Sequence, residues 1–317
     1  MRRLSVAVLQ VGILAACAYF VLNHLDFSRV LAALSGVPAW KVALLLLFKM
    51  CLSWVGTTYR LYSLCNGEAP FVSVLLAQSL GQLMNALLPA KLGEAAKVVL
   101  LGRVLPGGLA RVTEIVFWER FFDLNAMLLL ALLSGALLGS SALAGPLALA
   151  VAGLWGAVAV IKFHGRFVEG FVSRLPWPRL AGYLLGVARA MRERLSLGFA
   201  LGLAALTLPL WLGEMLALWG MLCWVFGLDL TLAQIMAVSA VAMAGQSMPT
   251  TPGSVGVYEA ALVAALMAFG QAREESLAAA LLMHGLILAP MLLIGCWAML
   301  RFGVRTAFRL GSATSGQ

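Results

Sequence analysis

Long apolar stretches separated by short polar segments dominate the pattern along this chain. A stretch of about 18 or more apolar residues is long enough to cross the hydrocarbon core of a bilayer as a helix. Six such spans are predicted: about Leu4–Leu22, Trp40–Leu61, Val112–Leu138, Pro146–Phe163, Gly198–Phe226 and Ser276–Leu300. The segment Asp26–Val37 is amphipathic and begins with a cap-like residue, so we expect it to lie in the membrane interface.

Two further apolar segments are interrupted, and the two interruptions resemble each other. The first lies in Gly81–Leu101 and the second in Gly245–Leu266; each contains Gly-Gln, then proline, then glycine, then Glu-Ala. A broken backbone at membrane depth is tolerated only inside protein or against a water-filled cavity. Two such breaks, one in each half of the chain, are typical of the working site of a transporter-like fold.

The helical arms beside these breaks are short. They are predicted at Phe71–Leu88, Glu94–Leu105, Leu232–Met248 and Val257–Phe269. Because a helix needs about 20 residues to span the hydrocarbon, hairpins that enter and leave on one side fit better than full spans. We therefore predict two re-entrant helical hairpins, whose tips carry Pro89, Gly93, Pro249, Pro252, Gly253 and Gly256.

Basic residues between the apolar stretches predict the orientation, because Lys and Arg concentrate in cytoplasmic loops. Arg60, Arg103 and Arg111 indicate that both ends of the first hairpin are cytoplasmic, and the basic segment 162–194 is predicted on the same side. The connections predicted on the outer side carry no positive excess: 139–145, 227–231 and 271–275.

This threading places both termini in the cytoplasm and predicts one transmembrane domain over residues 1–317. Its halves, 1–139 and 140–310, repeat the same order of elements from opposite sides of the membrane. The predicted fold is therefore an all-α polytopic membrane protein with an inverted-topology repeat, six full transmembrane helices and two re-entrant hairpins.

The composition agrees with a membrane protein and excludes several other classes. Hydrophobic residues make up 62% of the chain and charged residues only 11%, against about 25% charged in soluble domains. The net charge of +9 is scattered between apolar spans, so it indicates loops beside anionic lipid rather than nucleic-acid binding. The cysteines are unclustered, the three histidines are isolated, and the chain contains no enzyme signature. We therefore expect no metal site and no cofactor.

Polar residues inside the predicted membrane region are the candidates for function, because such residues usually face the bundle interior. The candidate substrate-binding residues are Asn85, Lys91, Glu94, Lys97, Glu119, Arg120, Asp123, Glu214, Gln246 and Glu259. In the functional interpretation they form one polar chamber. Lys91 and Arg120 would bind an anionic head group, while Glu94, Glu214 and Glu259 would balance charge or carry protons.

Most candidates also have a structural interpretation. Glu94 and Glu259 each open a half-helix, where a carboxylate offsets the helix dipole. Lys97 could extend toward the interface, Lys91 could reach water at the tip, and Asn85 could end its helix.

The remaining buried charges could pair with one another. The three ionisable residues at 119–123 could form a salt-bridge cluster that joins two spans. Lys49 and Glu214 lie on equivalent spans of the two halves and could form a pair. His284 could be an interior histidine whose hydrogen bonds are satisfied.

Three ordered motifs carry a family resemblance. The first, N-x-LLP-x-x-x-GE-x-x-(R/K), is matched by Asn85, Leu87, Leu88, Pro89, Gly93, Glu94 and Lys97. The second, E-R-x-x-D, is matched by Glu119, Arg120 and Asp123. The third, (I/M)P-x-x-PGG-x-G-x-x-E, is matched by Met248, Pro249, Pro252, Gly253, Gly256 and Glu259. Ser254 replaces the commoner second glycine, and Lys91 stands where arginine is frequent.

By these motifs the chain resembles, over essentially its whole length, the lysylphosphatidylglycerol synthase transmembrane-region family, also called flippase-like domain proteins. The resemblance implies a link to lipid translocation. Bifunctional members also carry an aminoacyltransferase domain, but only residues 301–317 follow the last predicted span. We therefore expect a stand-alone member and do not carry aminoacyl transfer over.

The leading hypothesis is a lipid flippase or carrier in a bacterial-type inner membrane. Its cargo would be a phospholipid, a polyprenyl-phosphate-linked lipid or a hopanoid-type lipid. One alternative is an intramembrane enzyme that modifies a lipid head group with Glu94 or Glu119 as general base. Another is a non-catalytic partner that recruits lipid-synthesis enzymes through the basic segment His164–Ser196. A homo-oligomer is also left open.

Overall fold

The computed structural model describes residues 12, 15–23, 25–88, 91–140, 142, 144–248 and 250–309, with side chains up to residue 301. All regular structure in this part of the chain is helical. The predicted first span lies mainly outside the described residues, although residues 15–22 are helical. The predicted tip residues Pro89 and Pro249 also lie outside them.

The described helices are labelled α1 to α12 in chain order. Their bounds are α1 Phe27–Ser35, α2 Ala39–Leu64, α3 Phe71–Leu87, α4 Leu92–Leu101, α5 Gly108–Leu137, α6 Ala144–Phe163, α7 Gly165–Val172, α8 Pro178–Arg194, α9 Leu197–Val225, α10 Leu232–Ser247, α11 Val257–Ala268 and α12 Arg273–Arg309. A short 3-10 turn, Pro252–Ser254, lies between α10 and α11.

Five described helices are long and apolar enough to cross a membrane: α2, α5, α6, α9 and the part of α12 up to Arg301. They lie where five of the six spans were predicted, so the prediction of an all-α polytopic membrane protein is confirmed at this level. Burial separates the five. Within the most apolar window, 56% of α12 is buried but only 6% of α6, so α12 lies at the centre of the bundle and α6 at its edge.

The amphipathic segment before α2 forms α1, as predicted. Asp26 caps the helix by accepting hydrogen bonds from the backbone nitrogens of Ser28 and Arg29. The Ser28 hydroxyl and these backbone groups lower the pKa of the Asp26 carboxyl. Val30 is buried and Leu31 exposed, so α1 has one face on the bundle and one face away from it.

The first interrupted segment folds back on itself, because glycines let its two arms pack closely. A Cβ atom added at Gly93 on α4 would lie 1.9 Å from the carbonyl oxygen of Gly81 on α3. The break is at Lys91, whose φ of 54° places it in the left-handed region. The contacts run antiparallel: Gln78 meets Lys97, and Asn85 meets Glu94.

The second interrupted segment folds in the same way. A Cβ atom at Gly245 on α10 would lie 2.6 Å from the Cβ of Ala261 on α11. The connecting backbone has positive φ at Gly253 (60°) and Gly256 (84°), a conformation that glycine adopts without steric cost.

The two breaks lie next to each other. A Cβ atom at Gly253 would be 3.2 Å from the carbonyl oxygen of Ala86, near the end of α3. The packing around them is crosswise: α12 lies along α3, and α5 lies along α10. The approach of α12 is close, since a Cβ at Gly295 would be 2.5 Å from the Cβ of Leu83.

Each span that precedes a hairpin contains one π-helical turn, Cys51–Gly56 in α2 and Gly220–Val225 in α9. Such turns release backbone carbonyls and are frequent at functional sites. In α2 the carbonyl of Ser53 accepts hydrogen bonds from Thr57 Oγ1 and from Gln82 Nε2 on α3. The π turn therefore ties α2 to the first hairpin.

Candidate functional site

Side chains from three helices meet in one polar cluster. Its members are Arg60 on α2, Glu94 and Lys97 on α4, and Glu119, Arg120 and Asp123 on α5. The three residues on α5 lie within one helical turn, so they present their charges together to the neighbouring helices. The predicted salt-bridge cluster at 119–123 is thus present, but it also includes α2 and both polar residues of α4.

Glu119 is the centre of the cluster and is fully buried. Its carboxylate accepts from Lys97 Nζ at 2.7 Å and from Arg60 Nη2 at 3.2 Å. Asp123 accepts two hydrogen bonds from Arg60, at 2.7 and 3.1 Å, and one from Trp211 Nε1 at 3.1 Å. These contacts hold α2, α4, α5 and α9 together.

The charges in the cluster balance, with three cations against three carboxylates. An unpaired buried charge is strongly unfavourable, whereas a paired and hydrogen-bonded one is tolerated. Lys97 is only 2% exposed and also contacts Glu94 at 3.1 Å. The interpretation that Lys97 extends toward the interface is therefore wrong, because its carboxylate partners hold it inside.

Arg120 differs from the other members of the cluster. Half of its side-chain surface is not covered by the protein, and its contacts with Glu94, Glu119 and Asp123 are long, at 3.3 to 3.8 Å. It lies about 18 Å along α5 from one end of the helix and about 25 Å from the other. A guanidinium at that depth must face a water-filled space or a polar group.

Two further residues at the first break lie near Arg120's partner Glu94. Asn85 Nδ2 donates to Glu94 Oε1 at 3.1 Å, whereas the helix cap is Leu88. The interpretation of Asn85 as the helix end is therefore wrong. Lys91 opens α4 and makes no side-chain hydrogen bond or ion pair with the described residues.

The second break is held by a separate set of residues. Glu259 Oε2 accepts from the backbone nitrogen of Gly256 at 2.7 Å, which confirms its predicted role at the start of α11. Its other oxygen lies 2.7 Å from His284 Nδ1, and His284 Nε2 lies 2.9 Å from the carbonyl oxygen of Gly253. His284 is buried with both ring nitrogens occupied, as its structural interpretation predicted.

This arrangement fixes where protons sit. A backbone carbonyl only accepts, so Nε2 of His284 carries a hydrogen. The Nδ1 contact with Glu259 then requires a second proton, on the imidazole or on the carboxyl group. The Glu259–His284 pair therefore shares one proton between α11 and α12, and the same imidazole ring contacts Gly253.

The structure does not bring the other candidates into the cluster. Glu214 binds Lys49 at 2.5 and 2.6 Å, as the pairing interpretation predicted. Lys49 precedes Arg60 by about 16 Å along α2. Gln246 offers its backbone carbonyl to Ser254 Oγ at 2.7 Å. The residues predicted to form one polar chamber are thus joined by direct contacts in three sets: the polar cluster, the Lys49–Glu214 pair and the Glu259–His284 pair. Whether one chamber connects these sets stays a prediction.

Arg60 is the member of the polar cluster that was not among the predicted site residues. It lies at the end of the predicted span Trp40–Leu61 and was used only to orient the first hairpin. In the structure it lies inside α2, is 3% exposed and binds two carboxylates of α5. Its position inside a predicted span could have indicated a buried charge. Its partners lie 59 and 63 residues away, and nothing in the sequence linked them to Arg60.

Among the described residues, no three His, Cys, Asp or Glu side chains are grouped so that they could hold a metal ion.

Comparison with known proteins agrees with the motifs. The family model for the lysylphosphatidylglycerol synthase TM region matches residues 7–295, and no curated protein matches the chain significantly. The matched region contains every member of the polar cluster and both breaks. The chain therefore belongs to the lysylphosphatidylglycerol synthase transmembrane-region family.

Proposed function

We propose that this protein moves a lipid across a bacterial-type inner membrane. In this proposal an anionic or glycosylated head group passes through the polar region between the two breaks while the acyl chains stay in the bilayer. The observation that carries the proposal is Arg120, the half-uncovered guanidinium of the polar cluster, deep in a transmembrane helix.

The contacts of Arg120 suit reversible binding of a head-group phosphate. Its three carboxylate contacts are 3.3 to 3.8 Å long, beyond the 2.7 to 2.9 Å typical of strong charge-assisted hydrogen bonds. A phosphate could replace them with shorter bonds. Arg60 still contacts Glu119 and Asp123, and Lys97 still contacts Glu94 and Glu119. Each carboxylate therefore keeps a cationic partner while Arg120 binds the phosphate. Lys91, at the break between α3 and α4, adds a further cation.

The short hairpins supply the route. At 1.5 Å per residue, α3 and α10 are about 25 Å long and α4 and α11 about 15 to 18 Å, less than the ~30 Å hydrocarbon core. We propose that they enter from opposite sides, as an inverted repeat of 1–139 and 140–310 requires. The crosswise packing of α12 on α3 and of α5 on α10 supports this. Rocking of one half against the other would open the region to each side in turn.

The test is lipid movement in proteoliposomes that contain fluorescent phospholipids, polyprenyl phosphates or hopanoid-type lipids. We expect Arg120→Gln to slow movement about tenfold or more, since a hydrogen bond to a charged group contributes about 1.5–3 kcal/mol. Arg120→Lys should retain part of the rate. Arg179→Gln, which removes an exposed charge on α8, is the matched control and should behave as wild type.

Two results would contradict the proposal. One is a wild-type protein that neither moves nor binds any of these lipids. The other is a folded Arg120→Gln protein with an unchanged rate.

The alternative function is an enzyme that modifies a lipid head group. The contacts in the structure reduce the number of carboxylates that could act as its general base. Glu119 is fully buried and bound by two cations, so it cannot reach a lipid as a general base. Glu94 keeps a quarter of its side chain uncovered. Mass spectrometry of total lipids from deletion and overexpression strains separates the two: a new lipid species supports modification, and an altered leaflet distribution supports transport.

A further inference from the structure

A basic pocket lies where α6 ends and α7 begins, and it contains no residue of the polar cluster. Its volume is about 510 Å³, and it is lined by Lys162, Phe163, His164, Gly165, Arg166, Phe167 and Arg192. The cations come from three elements: the last turn of α6, the short helix α7 and the last turn of α8. Neither the proposed transport route nor the family motifs use this region.

The pocket is held in place by specific contacts. Lys162 Nζ donates to the backbone carbonyls of Arg192 and Leu195, both at 2.7 Å, and so ties the end of α8 to the end of α6. A Cβ atom at Gly165 would lie 1.8 Å from Arg192 Nη1. The glycine therefore lets the Arg192 guanidinium lie against the backbone of α7.

The charge of the pocket is unbalanced. No carboxylate lines it, and Arg166 and Arg192 form no salt bridge with the described residues. Glu169 on α7 lines an adjoining crevice together with Arg189 and Arg192, but it makes no salt bridge there. The pocket therefore presents an uncompensated positive charge that complements an anion.

One wall of the pocket is aromatic. Phe163, the last residue of α6, and Phe167 on α7 line the pocket. Phe171 lies four residues after Phe167, so these two share one face of α7. Phe163, Phe167 and Phe171 are 77%, 69% and 65% exposed, whereas Val172 is buried and anchors α7 to the bundle. With eight residues, α7 is about 12 Å long and cannot cross a bilayer. Because α7 directly follows a helix long enough to cross a membrane, we expect it at the level of the lipid head groups.

We propose that this pocket binds an anionic phospholipid of the surrounding membrane. Arg166 and Arg192 contact the phosphate, and Phe163 and Phe167 pack against the first carbons of the acyl chains. Cations beside exposed phenylalanines at the end of a transmembrane span fit a lipid, since a soluble acidic partner would leave the phenylalanine face uncovered. The proposal does not depend on transport.

The experiment is native mass spectrometry of the full chain, delipidated and then titrated with phosphatidylglycerol or phosphatidylcholine of the same acyl chains. The wild type should prefer phosphatidylglycerol. The double variant Arg166→Gln/Arg192→Gln should lose about 30-fold in affinity for it, at about 1 kcal/mol for each basic residue near an anionic surface. Arg174→Gln/Arg179→Gln removes two exposed charges from the same segment without touching the pocket, and it should keep the preference.

A second pair of substitutions tests the aromatic wall. Phe163→Ala/Phe167→Ala should weaken binding of both lipids while the preference between them remains. Thermal unfolding of every variant separates loss of binding from loss of fold.

Three results would overturn the proposal. The first is an unchanged phosphatidylglycerol affinity in a folded Arg166→Gln/Arg192→Gln protein. The second is an equal loss in the matched control, which would indicate general surface charge. The third is full displacement of the lipid by inorganic phosphate, which would indicate a phosphate site. The experiment measures only lipid binding, so these outcomes can be interpreted even if the protein does not transport lipids.

Discussion

Arg120 and Lys97 carry the same charge in the same cluster, yet the fold gives them different surroundings. Lys97 is buried and contacts Glu119 at 2.7 Å and Glu94 at 3.1 Å. Arg120 is half uncovered, and its contacts are longer. We therefore expect Lys97 to stabilise the fold and Arg120 to exchange its partners for a ligand.

Loss of the central carboxylate tests the structural part of the cluster. Glu119→Gln leaves three cations with only two carboxylates in the cluster. Breaking a buried ion network in this way costs about 3–5 kcal/mol. We expect a lower unfolding temperature in detergent, and partial recovery in the double variant Lys97→Met/Glu119→Gln, where the charges balance again. Glu275→Gln, at an exposed site, is the control. An unchanged unfolding temperature in Glu119→Gln would show that the network does not stabilise the fold.

At the scale of the elements, close packing of glycines decides whether a broken helix can fold back. Both hairpins have a glycine facing the opposite arm, Gly81 and Gly93 in the first and Gly245 in the second. A larger side chain at these positions would push the arms apart and move the charges of α4 away from α5. The polar cluster thus depends on residues that carry no charge.

Alanine at Gly93 tests this dependence. The added Cβ would lie 1.9 Å from the Gly81 carbonyl oxygen and 2.5 Å from Asn85 Oδ1. We expect a loss of about 1–3 kcal/mol, typical of overpacking, measured as a lower unfolding temperature. Gly153→Ala on α6 is the matched control, because a Cβ there has no neighbour within 4 Å and alanine favours the helix. Equal behaviour of the two variants would show that the α3–α4 crossing is not tight.

At the scale of the whole molecule, the two halves are locked crosswise. The helix that follows each hairpin packs along the first arm of the other hairpin, and the turn at Gly253 meets the end of α3 at Ala86. Movement of one hairpin would therefore displace the helices that pack against it, including the one that follows the other hairpin.

The proposed inverted repeat makes a prediction about the side of the membrane on which each connection lies. In a protein without its five free cysteines, which are Cys17, Cys51, Cys65, Cys223 and Cys296, exposed single cysteines report their side of the membrane. Ser140→Cys and Asp229→Cys should react with a membrane-impermeant thiol reagent added outside intact cells. Ser173→Cys should react only after the cells are opened. Labelling of the cysteines at positions 140 and 173 from the same side would contradict the proposed topology.

The positions of the helices and breaks were predictable from the sequence, because they depend on local properties. Span length follows from the run of apolar residues, and the breaks follow from glycine and proline. Five described spans and all four hairpin arms lie within a few residues of their predicted bounds. The three motifs, read as a set, also identified the family.

The partners of the buried charges were decided only by the tertiary structure. Arg60 served only to indicate the cytoplasmic side, and Lys97 could equally have extended toward the interface, because a sequence does not show which helix packs against which. Lys49 and Glu214 are 165 residues apart, and their pairing rested on an assumed symmetry. A charge on a transmembrane helix is stable only where an opposite charge or water meets it. That condition is set by the packing of distant helices, so the sequence determined where the charges occur and the fold determined which of them are left free.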